Sequence, residues 1–99
     1  MVRVIVEVQE VRGKCALGYQ QGDQIILKDF YIEYSSKPIC LHALASMLTI
    51  LILMLKQHSG RELGLSKSSD EAYVQCPDPN GLLTDGGTVI FRIRRSTNH

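Results

Sequence analysis

Residues 2–11 alternate. Val2, Val4, Val6 and Val8 fall on one side, and Arg3, Ile5 and Glu7 fall on the other. A period of two with β-branched residues on one face predicts a half-buried strand. Val11-Arg12-Gly13-Lys14 then reads as a turn, and Gly18 and Gly22 mark bends between Cys15 and Asp23. Ile25 to Ile32 predicts a second strand, with bulk from Phe30, Tyr31 and Ile32. Tyr34-Ser35-Ser36-Lys37-Pro38 is a connector, and proline is favoured where a helix begins.

From Cys40 to His58 the period changes. Leucine, isoleucine, methionine and alanine fill most positions, while His42, Ser46 and Thr49 form a thin polar stripe that Leu53 interrupts and Lys56 resumes. This predicts a helix whose apolar surface is wider than that of an ordinary surface helix. Residues 57–69 are polar, contain Gly60 and Gly64, and read as a loop. Ala72–Cys76 predicts a third strand, ended by Cys76-Pro-Asp-Pro-Asn-Gly81 and followed by a turn-rich linker to Gly87. Thr88–Arg95 alternates again, with Val89, Phe91 and Ile93 opposite Ile90, Arg92 and Arg94. The last four residues are expected to fray. The resulting order is β-β-α-β-β. It is an α+β fold with a small, mainly antiparallel sheet and one long apolar helix on one face, in a single domain spanning residues 1–99.

Ala43–Leu55 falls short of the roughly 20 apolar residues a membrane-spanning helix needs. A small sheet covers only one side of such a helix. A second protomer is therefore expected on the other side, giving a homo-oligomer through residues 40–58.

Composition adds limits. The net charge is +1, so no global field favours nucleic acid or an anionic membrane, and neither is expected as a partner. Glu7, Gln9 and Glu10 break the apolar start, which argues against a secretory signal. The three cysteines are an odd number, and together these features predict a reduced, cytoplasmic protein.

The candidate chemistry lies in Cys15, Cys40, His42 and Cys76. Three thiols and an imidazole match the ligand count of a closed tetrahedral zinc site, with iron or no metal as alternatives. No C-x-x-C pair supports that reading. Cys40 and His42 would stand about 200° apart on a regular helix, so both could reach one ion only if Cys40 precedes the first full turn. A second reading makes Cys40 a reactive thiol at a helix N-terminus, with His42 as proton acceptor and Cys15 or Cys76 as resolving partner, in a thiol enzyme or redox accessory protein. A third treats the cysteines as small buried hydrophobes in an interaction module that acts through the helix. Whether the protein is an enzyme stays open. Asp23, Asp78 and Asp85 beside glycines or prolines read as turn formers. Arg92, Arg94 and Arg95 read as the solvated edge of the last strand.

Taken together, Val11-Arg-Gly-Lys-Cys15, Gly18-Tyr19, Gly22-Asp23, Cys40-x-His42-Ala43, Cys76-Pro-Asp-Pro79 and Val89-Ile-Phe-x-Ile-Arg-Arg95 resemble a family of small conserved prokaryotic proteins. The resemblance runs from the first strand to Arg95. It implies a cytoplasmic bacterial or archaeal protein, and implies that Cys15, Cys40, His42 and Cys76 are among the residues that define the family. It implies no particular activity. The chain departs from the pattern at the helix centre, Thr49–Met54, which lacks an expected proline. It also lacks a Pro-Trp within residues 60–69, and carries Arg92 where an acidic residue is commoner.

Overall fold

The protein is described by a computed structural model over residues 2–15, 17–67, 70–76 and 87–96. Strand β1 (Arg3–Arg12) buries Val4, Val6 and Val8 on one face, as the alternation predicts. Unbroken alternation would next bury Glu10. Instead the register shifts between Val8 and Glu10, and Val11 stands opposite Val89. This bulge leaves the carboxylate in water and keeps an apolar side chain towards the core, avoiding the cost of an unpaired buried charge.

The run expected to form one strand over 25–32 folds back on itself. It makes β2 (Gln24–Lys28) and β3 (Tyr31–Ser35), joined at Asp29-Phe30 with Asp29 at a φ of 55°. Aspartate tolerates that left-handed conformation better than most residues. With β4 (Ala72–Gln75) and β5 (Thr88–Ser96) the sheet has five strands in the order β3-β2-β1-β5-β4, every neighbouring pair antiparallel. Among the described residues the fold is α+β, one antiparallel sheet with one helix.

Helix α1 (Leu41–Leu55) is shorter than the expected 40–58, because Cys40 is its N-cap and the chain leaves the helix at Lys56. Ala43, Met47, Leu51 and Met54 are buried at helical spacing against the core face of β1, β4 and β5. Each large side chain buried in this way contributes roughly 1.5–3 kcal/mol. No helix among the described residues is long and apolar enough to cross a membrane.

The helix ends in a paired hydrogen-bond motif. His58 N–H donates to Leu53 O (3.1 Å) and Gln57 N–H to Met54 O (3.0 Å), with Gln57 at a φ of 72° where glycine is usual. Arg95 completes the cap. Its Nη1 donates to Met54 O (3.3 Å) and His58 O (2.8 Å) from β5. The expectation of a solvated basic edge is therefore corrected. β5 lies inside the sheet, the Arg95 side chain is only 13% exposed, and Arg92 pairs with Glu71 at 2.6 Å.

After the helix, Gly60 lies so close to the chain before β4 that a Cβ on it would stand 1.7 Å from Glu71 O. Only glycine allows this approach. The expected break at 77–81 and residues 82–86 of the expected linker lie outside the described residues, as do Asp78 and Asp85; of the last four residues, expected to fray, Ser96 ends β5 and 97–99 lie outside.

Candidate functional site

The loop between β1 and β2 crosses the core face near the start of α1 and carries Cys15 and Tyr19. Tyr19 is buried, 6% exposed, and its ring meets Phe91 of β5 edge-on, with centroids 6.2 Å apart and planes at 82°. Its hydroxyl donates to Pro38 O (2.8 Å) and accepts the backbone N–H of Cys40 (2.9 Å). A phenol has one proton to give and lone pairs to accept with, so this pairing uses it in both senses. It fixes the chain where the connector becomes the helix.

Asp23 secures the same connector from the other side. Its carboxylate accepts from Gln20 N–H (2.8 Å), Ser36 Oγ (2.9 Å) and Lys37 Nζ (2.6 Å). The Lys37 hydrogen bond is the main reason its carboxyl lies below the usual carboxylate range, helped by Gln20 and Ser36. The expectation that Asp23 fixes a turn is met here.

Cys40 is extended, with φ −71° and ψ 123°, and its carbonyl accepts from Leu44 N–H at 2.9 Å. It therefore precedes the first helical turn, as any shared site with His42 requires. Its thiol makes no cap hydrogen bond.

Cys15 is brought in by Gly87, whose N–H donates to Lys14 O at 2.8 Å. A Cβ on Gly87 would lie 2.4 Å from Lys14 N and 2.5 Å from Arg12 O, so the two backbones can meet only without one. Cys76 extends the β4 ladder by donating to Val89 O (2.8 Å), in step with Val74 opposite Phe91. That register places it on the core face, in line with Val89 and Val11.

All three thiols are free, half-buried and packed against the core at this end of the sheet. His42 is exposed on the first turn of α1. Among the described residues, no group of three or more His, Cys, Asp or Glu side chains is arranged to hold a metal ion. The fold thus brings three candidate ligands to one end of the molecule without assembling a finished coordination sphere.

The same surroundings shift the titration of Tyr19. Burial pushes its hydroxyl above the usual tyrosine range, and the hydrogen bond from Cys40 opposes the rise. Neighbouring groups, the Asp23 carboxylate among them, add to it. The sequence places Tyr19 in the Gly18-Tyr19 motif but assigns it no role. Its role depends on the fold bringing residues 19, 38 and 40 together.

Comparison with models of protein families, with curated proteins and with solved structures finds no match. The family resemblance therefore rests on the motifs alone.

Proposed function

We propose that the protein works through its thiols, as a dithiol redox module in which Cys15 and Cys40 cycle between free thiols and a disulfide. In the oxidising direction two S–H bonds give one S–S bond, two protons leave, and two electrons pass to an acceptor disulfide. The observation that carries this reading is that Cys15 and Cys40 are free, half-buried and packed against the same core, with the Cys40 backbone tied to Tyr19 of the loop that carries Cys15. Tyr19 holds the backbone of Cys40 in place, so the thiol is presented from a fixed cap rather than a loose loop.

Counting free thiols after equilibration with oxidised glutathione tests the reading. Two thiols per chain should be lost and one should remain. Loss of none, or of one as a mixed disulfide only, would overturn it.

A soft-metal site is the second reading, favoured by Cys76 sharing the core face at the same end as Cys15 and Cys40. Zinc would be held by Cys15, Cys40, Cys76 and, after movement of its ring, His42. Elemental analysis of protein purified without oxygen or chelator separates the two readings. About one ion per chain supports the metal site.

A homo-oligomer joined through α1 accompanies either reading. Leu41, Leu48 and Ile52 on the outer side of the helix are exposed, Leu41 by 78%, although they are apolar.

A further inference from the structure

Helix α1 packs mainly on β1, β4 and β5, off centre on the five-stranded sheet. This leaves a groove between its second half and the β2–β3 hairpin. Leu27, Leu48, Leu51, Ile52 and Leu55 line it, with Asp29 and Lys56 also at its walls. Phe30, on the hairpin wall of the groove, is a full aromatic ring 95% exposed, so it projects from that wall and does not fill the groove. One patch thus carries an apolar knob, an apolar groove, one anion and one cation.

We propose that a second copy of this chain occupies the groove. In a two-fold dimer the Phe30 of each protomer enters the other's groove beside Leu48 and Ile52, and Asp29 of each meets Lys56 of the other. The inference deepens the self-association reading above by naming the docking geometry.

Two features choose a second copy over another occupant. A two-fold interface must be complementary to itself, and a patch holding both knob and groove meets that condition. The opposite charges of Asp29 and Lys56 in the same groove meet it again, because the symmetry that seats Phe30 also brings each acid towards the partner's lysine. Buried aromatic anchors of this kind commonly dominate interface energetics.

Sedimentation equilibrium over a dilution series of the full chain tests this. The wild type should be a dimer. Phe30→Ser removes a solvent-exposed ring and should leave the fold intact by circular dichroism while weakening the dimer by roughly 30-fold or more. Lys56→Glu should also weaken it by placing like charges together, and adding Asp29→Asn should recover part of the loss.

A wild type that stays monomeric at every concentration would overturn both this docking and the wider self-association reading. A dimer that Phe30→Ser and Lys56→Glu leave unchanged would overturn only the docking described here.

Discussion

The Tyr19 hydroxyl and the Cys40 N–H are joined by a 2.9 Å hydrogen bond across twenty-one positions of chain. The same hydroxyl donates to Pro38 O. Replacing Tyr19 with phenylalanine keeps the contact with Phe91 and removes both hydrogen bonds. Two part-buried backbone groups then lose their partner, at a cost of about 1–3 kcal/mol. Urea unfolding should show that loss, and alkylation of Cys40 in the native protein should quicken as its backbone is released.

The alkaline limb of stability should depend on the same residue. The folded state raises the Tyr19 pKa, chiefly through burial, so folding favours the protonated hydroxyl. Its contribution is intact below the unfolded tyrosine pKa of about 10 and is lost as pH rises through the folded value. Thermal melts between neutral and strongly alkaline pH should fall less steeply for Tyr19→Phe than for the wild type.

Asp23 governs the acid limb in the opposite sense. Its carboxyl pKa is lowered mainly by the Lys37 hydrogen bond, so its contribution is present above the unfolded value and fades as pH falls through the folded one. Asp23→Asn should lower stability at neutral pH and make the protein less sensitive to acid. Melting curves at neutral pH and below the usual carboxylate range measure both effects.

The helix C-terminus offers two changes of opposite sign. Gln57→Gly relieves a left-handed conformation that costs a non-glycine residue roughly 1 kcal/mol, and should stabilise by up to about that amount. Arg95→Leu removes the donor shared by Met54 O and His58 O and should destabilise by about 1.5–3 kcal/mol. Chemical denaturation of both variants checks the signs.

Gly60→Ala should be far more damaging than an ordinary surface change. The added methyl would meet backbone, with Glu71 O at 1.7 Å and Glu71 C at 2.4 Å, so no side chain can simply turn aside. The approach of residue 60 to the start of β4 must open. A large loss of melting temperature, or failure to fold, is the expected outcome.

These sites also show where sequence reasoning reached and where it stopped. The α+β class was legible because Val4, Val6 and Val8 alternate cleanly and because Ala43, Met47 and Leu51 repeat at helical spacing. The bulge after Val8 was visible only as a lapse in that alternation. The hairpin within 25–32 was hidden because its turn uses Asp29-Phe30 instead of a glycine-containing pair, and apolar residues continue on both sides. The cysteines stood out by type, but their placement depends on contacts that sequence spacing does not encode. Gly87 draws in Lys14, the β4 ladder carries Cys76, and Tyr19 anchors Cys40. Arg95 was misread for a related reason. A basic run on a terminal strand resembles an exposed edge until the topology puts that strand inside the sheet.

If Cys15 and Cys40 act as a pair, oxidation should join them to each other. Peptide mapping of the protein after mild oxidation, with free thiols blocked before digestion, identifies the bonded pair directly. The expected product is a Cys15–Cys40 disulfide within one chain, with Cys76 recovered in blocked form. A bond that includes Cys76, or three blocked cysteines after oxidation, would contradict it.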